Sequence, residues 1–248
     1  MADRLTREFF ARDGITVAKE LLGKILVHET PLGTVRGIIT EVESYMGEED
    51  KGSHTYGGKR TERTEPMYHK GGTSYVYLIY GMYSCMNIAA MTEGIPQAVL
   101  LRSVVPADRE SEERMRVLRL HEMERRQSRK AERANKKDGA DKKEATDKKE
   151  ATDKKEAADK GKLPASLIKH LADGPGKMCI AMNITRADND IDMVESKEFY
   201  VTEGIALLPE QIQSGKRIGI DYAEEAADYL WRFYVEPKQF LGMERNKE

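Results

Sequence analysis

Cysteine is scarce in this 248-residue chain: only Cys85 and Cys179 occur, and neither has a neighbour at zinc-like spacing. That argues against a disulfide framework and a cysteine-based metal site. Both read as small buried hydrophobes of a reducing compartment. Long apolar runs are missing too. Nothing approaches the ~18 residues of a membrane span, and the opening MADRLTREFF has no apolar signal-peptide core. A soluble, non-secreted protein with no membrane partner is expected. Net charge is nearly absent at −2, which by itself announces no nucleic-acid binder. Apolar residues are thin at 39%, against roughly 45–50% in an average domain. Charged residues make up 34%, above the usual ~25%. The length still allows one or two domains with a sizeable core.

One stretch causes the charge excess. From Ala140 to Lys160 a six-residue repeat runs ADKKEA-TDKKEA-TDKKEA-ADK, with no side chain able to build a core. The whole of 107–162 carries 19 basic and 15 acidic residues, so its +4 leaves −6 on the rest. Asp108 to about Arg133 is helical in pattern, with a thin stripe of Met115, Leu118 and Leu120. The segment 107–162 therefore reads as a charged helical and low-complexity insertion, partly disordered. A single domain is expected from 1–106 together with 163–248.

Outside the insertion, Leu5–Leu22 reads as two short helices broken at Asp13-Gly14, followed by strands over Lys24–Thr30 and Thr34–Tyr45. Further strands are expected over Tyr75–Tyr80, Tyr83–Ala89 and Ala98–Val105, then around Glu198–Val201, Arg217–Ile220 and Trp231–Val235. Helices are expected over Leu163–Ala172 and Met178–Ile184. Without regular βαβ alternation this is an α+β domain.

The stretch from Ile38 to Asn87 concentrates the chemistry. Side chains alternate along a strand, so Glu41, Glu43 and Tyr45 share one face and Ile38 and Val42 the other. Residues 46–74 hold six glycines and few aliphatics, a loop long enough to be functional or disordered. Between Lys51 and Lys70 five cations face only Glu62 and Glu65, with His54 and His69 beside them. Tyr75, Tyr77, Tyr80 and Tyr83 follow around Gly81. As plain strand formers they would fill a core, but they spread over both faces, and a single buried face needs one parity. A carboxylate at a strand end can activate water; by pattern alone Glu41 is as good a candidate as Glu43. His54 alone has no metal-ligand spacing, and Asn87 alone is an ordinary strand-end polar residue. Arg102, after the apolar run AVLL, needs a buried partner.

The combination of Glu43-Ser44-Tyr45, the spaced His54, YVYLIYGMYSCMN, LLRSVVP and LADGPGKMCIAM closely resembles the alkyladenine (3-methyladenine) DNA glycosylase family. The resemblance covers most of the chain, from LTREFFARDGITVAKELLGK to LWRFYV, and departs from the family in the length of 107–162 and around Met91–Gln97. It implies a single domain with a curved, mainly antiparallel sheet, flanking helices and a protruding β-hairpin that inserts into DNA. It implies Glu43 as general base with Arg102 beside the catalytic water. Tyr45, His54 and Tyr77 would wall the base pocket, and Asn87 would exclude guanine by a clash with its exocyclic amine. Tyr80 would fill the gap left by the flipped base, flanked by Met82 and Tyr83. Lys59, Thr61 and Arg63 would hold phosphates.

The reading that follows is a monofunctional DNA glycosylase of base-excision repair. It would flip 3-methyladenine, 7-methylguanine, hypoxanthine or ethenoadenine from double-stranded DNA and leave an abasic site. No metal or organic cofactor is implied, and a monomer in the bacterial cytoplasm at the nucleoid, or in a nucleus, is expected. Two rivals share parts of the pattern. A damage-binding module would keep hairpin and pocket without turnover, and a nucleoside hydrolase would dispense with the wedge. Glu43 and Arg102 favour catalysis, and the wedge with its basic loop favours duplex DNA.

Overall fold

The computed structural model describes residues 3–79, 81–138, 170–236 and 240. Tyr80, the Ala140–Lys160 repeat and most of the helix expected over Leu163–Ala172 lie outside the described residues.

Two short helices open the chain, α1 (Arg7–Phe10) and α2 (Gly14–Leu21), broken at the expected Asp13-Gly14. The Asp13 carboxylate accepts from the Ile15 and Thr16 N–H groups, satisfying donors that a helix start leaves orphaned. Along α2, Val17, Ala18 and Leu21 are fully buried, the apolar stripe that glues the helix to the sheet.

Among the described residues eight strands make one antiparallel sheet: β1 (Ile25–Thr30), β2 (Gly33–Tyr45), β3 (Ser74–Ile79), β4 (Tyr83–Ala90), β5 (Gln97–Pro106), β6 (Phe199–Thr202), β7 (Gln213–Gly215) and β8 (Arg232–Tyr234). The order is β3-β4-β5-β2-β1-β6, with β8 paired to β2 and β7 to β8. The long β2 changes neighbours along its length. β1 lies beside its first half and β8 beside Glu41–Glu43, while β5 follows the other edge from Gly37 to Tyr45. Glu43 is thus in the middle of the sheet, flanked by strands on both sides. Among the described residues the helices α3 (Arg109–Asp138) and α4 (Pro175–Ala181) join them in a single α+β domain. The first turns of α3 put Met115 and Leu118 into the main core, with Met178, Cys179 and Ala181 of α4. Cys85 and Cys179 are both free and buried.

One feature of the β2–β5 pairing positions the site. The register skips Thr40 on β2 and Arg102 on β5, a bulge that lets Ile39, Val42, Leu101 and Val104 all reach the core while Glu41 and Arg102 turn to the opposite face. The strand expected at Arg217–Ile220 is not formed. Arg217 is drawn into a buried ion pair with Asp50, and Gly219 takes a positive φ of 82°, so the segment crosses the sheet as an irregular strap. α4 begins earlier than expected, at Pro175, a residue suited to a first helical position. Within it, an added Cβ on Gly176 would lie 3.0 Å from the Tyr83 ring, so glycine is what lets β4 and α4 approach.

Candidate active site

The sheet face opposite the main core carries a cavity of about 410 Å³, a size suited to a small organic ligand. β2 and its following turn supply Tyr45, Ser53 and His54, and the hairpin strands supply Tyr75, Tyr77 and Asn87. Arg102 comes from β5, and Ile218, Gly219, Ile220 and Tyr222 from the strap. The six pocket and catalytic residues expected from sequence, Glu43, Tyr45, His54, Tyr77, Asn87 and Arg102, are thereby brought together.

Glu43 is fully buried and is touched by three groups that border the cavity. Its Oε1 accepts from the Ile218 N–H at 2.8 Å and lies 3.1 Å from Arg102 Nη1. Its Oε2 accepts from the Tyr45 hydroxyl at 2.9 Å. Burial raises its pKa above the usual carboxyl value, against the opposing pull of Arg102, the Ile218 N–H and the Tyr45 hydroxyl. A carboxylate so held stays a stronger base than an exposed one while keeping lone pairs for another donor.

Glu41, which the pattern left equivalent to Glu43, has a different job. Its Oε1 accepts from Arg102 Nε at 2.9 Å and from Arg232 Nη1 at 3.1 Å. It therefore holds the plane of the Arg102 guanidinium, and the rigid fork then presents Nη1 to Glu43.

Aromatic rings form the walls. Tyr75 and Tyr77 lie 5.2 Å apart at a tilt of 31°, and His54 meets Tyr77 edge-on at 4.7 Å. Burial, then the nearby Arg63 and Lys59 charges, push the His54 pKa down to about 4, so the ring is neutral near pH 7. Its Nδ1 is 2.9 Å from the Tyr75 hydroxyl. With the Tyr75 hydroxyl as donor to Nδ1, the ring hydrogen sits on Nε2 and Nε2–H is the free donor. Asn87 is buried, and its Nδ2 donates to the Tyr75 carbonyl at 3.1 Å, leaving its amide oxygen unclaimed by that bond.

Two groups escaped the sequence reading. Arg217 donates to both Asp50 oxygens, at 2.5 and 2.7 Å, and to the Ser44 and Ala226 carbonyls. Its guanidinium sits 4.8 Å from the Tyr45 ring and 4.9 Å from that of Trp231. This pair, wholly buried, pins the strap that brings the Ile218 N–H to Glu43. No sequence pattern links positions 50 and 217; only an arginine preceding an apolar Ile-Gly-Ile could have hinted at it. The basic loop is also less basic than its local count suggests. Lys51 pairs with Glu224 and Glu225, and Arg60 with Glu65. Among the described residues Lys59 and Arg63 keep no carboxylate partner, and with Thr61 they line an adjoining groove.

At the hairpin, Met82 is exposed. Tyr83 instead packs under Arg126, whose Nη1 donates to its hydroxyl at 2.7 Å and whose guanidinium lies 4.3 Å from its ring centre. Among the described residues no group of three or more His, Cys, Asp or Glu is placed to hold a metal ion, and no helix is long and apolar enough to cross a membrane.

Comparison with known proteins identifies the family. Residues 8–239 match the model of the family described as methylpurine-DNA glycosylase. A Clostridium acetobutylicum protein provisionally named 3-methyladenine DNA glycosylase is 44% identical over 97% of this chain and 98% of its own length. Relatives with the same provisional name occur in Desulfitobacterium hafniense, at 41% identity over 97% of this chain and 98% of their own length, and in Clostridium perfringens, at 38% over 96% and 98%. With a family match over nearly its whole length and relatives this similar end to end, the chain belongs to the methylpurine-DNA glycosylase family.

Proposed function

We propose that the chain is a monofunctional DNA-3-methyladenine glycosylase that releases alkylated or deaminated purines by hydrolysis, with Glu43 activating the water. The observation that carries this reading is the gripped carboxylate beneath an aromatic-walled cavity: Glu43 between Arg102, Tyr45 and the Ile218 N–H.

The damaged purine turns out of the duplex and stacks between Tyr45 and Tyr77, with the neutral His54 Nε2–H as a donor beside it. Glu43 takes a proton from water as the water's oxygen bonds to the sugar C1′, and the C1′–N bond breaks with its electron pair leaving on the base. The Glu43 carboxylate also steadies the oxocarbenium-like sugar. Arg102, oriented by Glu41, keeps Glu43 ionised and can hold the water through its remaining N–H groups. N3- and N7-methylated purines leave as neutral molecules without added acid, whereas hypoxanthine or ethenoadenine needs a proton at departure. Asn87 on the pocket floor excludes guanine through its exocyclic amine. Lys59, Thr61 and Arg63 take phosphates, and Tyr80 with Met82 holds the vacated gap. Tyr83, tied to Arg126, supports the hairpin from behind.

The test is incubation with a duplex bearing one hypoxanthine, and separately with methylated duplex DNA. Alkali-dependent strand breaks at the lesion, with intact strands before alkali, are expected. Breaks without alkali would contradict monofunctional chemistry, and no breaks on either substrate would contradict the activity.

A further inference from the structure

A second cavity, of about 590 Å³, adjoins the first and shares Ser53, His54, Arg63 and Tyr222 with it. Its remaining wall includes Tyr56, Lys59 and the Lys51–Glu224 pair. Two aromatic rings stand in it largely in water, Tyr56 at 47% and Tyr222 at 69% exposure. Neither ring is buried by the fold, and among the described residues neither hydroxyl has a hydrogen-bond partner. The cations divide cleanly. Lys51 is neutralised by Glu224 and Glu225, while Lys59 and Arg63 have no carboxylate partner among the described residues. Arg63 lies 5.0 Å from the centre of the Tyr77 ring, so the same side chain faces the base cavity and this one.

Exposed aromatic faces beside unneutralised cations are the two elements that hold an unpaired nucleotide, the ring taking the base and the cation the phosphate. We propose that this second cavity is a subsite for the nucleotide next to the extruded one on the same strand, its base stacking on Tyr56 or Tyr222 and its phosphate meeting Lys59 and Arg63. A neighbouring base leaves the stack readily only where its partner strand is missing or mispaired. The subsite therefore favours lesions in single-stranded DNA or beside an unpaired position over those in a perfect duplex.

This inference rests on the glycosylase reading, and its test separates the two. Equilibrium binding is measured with the Glu43→Gln protein, alone and carrying Tyr56→Ala with Tyr222→Ala, on hypoxanthine oligonucleotides that are single-stranded or fully paired. Release of hypoxanthine by Glu43→Gln at the parent rate would count against the catalytic assignment and leave the binding comparison intact. The subsite predicts about a tenfold loss of single-strand affinity in the double alanine variant and less than about twofold on the full duplex. It also predicts recovery with Tyr56→Phe and Tyr222→Phe, which keep the rings. Equal losses on both substrates, or no loss on the single strand, would overturn it. Both tyrosines are exposed, so the thermal midpoint should hold; the phenylalanine pair keeps the test decisive if the alanine pair misfolds.

Discussion

The first turns of α3 and the floor of the cavity are built from the same residue types, and the charges in the two places do different things. Along α3, Arg109–Glu113, Arg114–Glu110, Arg116–Glu112 and Arg126–Glu122 pair at i,i+4 spacing near the surface. Each contributes only about 0.3–0.5 kcal/mol, because water screens both partners. Under the cavity, Glu43, Arg102, Asp50 and Arg217 are buried. There a charge is tolerated only because its partner and hydrogen bonds are present, and a lost partner strands it in a low dielectric. Arginine and glutamate are therefore a solvated coat in one region and buried, interlocked partners in the other. Strand pairing around β2 decides which.

The comparison predicts a steep gradient of effects. Asp50→Ala should lower stability by about 3–5 kcal/mol, since it leaves the Arg217 guanidinium buried and uncompensated; urea unfolding measures this. A loss below about 1 kcal/mol would mean that Arg217 finds water and that the strap is not pinned as described. Asn87→Ser should leave folding intact and let the protein release unmodified guanine from duplex DNA at a measurable rate. A variant as selective as its parent would move discrimination to the extrusion step.

Smaller changes should separate the groups that tune Glu43. The proposed role of Glu43 as general base needs it deprotonated, so that proposal predicts activity falling as the pH drops through its raised pKa. Glu41 adds to that rise, whereas the Tyr45 hydroxyl opposes it. Glu41→Gln should therefore shift the acid limb of kcat/KM to lower pH, and Tyr45→Phe should shift it to higher pH. Shifts in the same direction in both variants would break the assignment. At the bottom of the scale, Arg109→Ala on α3 should change stability by no more than about 0.5 kcal/mol. A larger loss would mean that the helix surface is not the solvated coat it resembles.

Much of this was legible in the sequence where local rules suffice. The Asp13-Gly14 break, the strands on either side of Gly33, the Tyr75–Tyr77 face and the shared face of Glu41, Glu43 and Tyr45 all follow from periodicity and turn residues. What was hidden depends on contacts between distant positions. The Arg217–Asp50 pair spans most of the chain and converts an expected strand into the strap that delivers the Ile218 N–H. Glu224 and Glu225 neutralise a loop cation from the far end of the sequence. The distinction between Glu41 and Glu43 was invisible to alternation, which places both on one face. It becomes visible only when Arg102, turned by a bulge, meets both.

The central claim is that Glu43 is the base under the pocket and that its neighbours serve to hold and charge it. The most direct measurement is single-turnover release of hypoxanthine from duplex DNA by Glu43→Gln, with lesion affinity measured on the same preparation. The account predicts a rate lower by roughly 10²–10⁴-fold with affinity within a few-fold of the parent. A parent-like rate would contradict it.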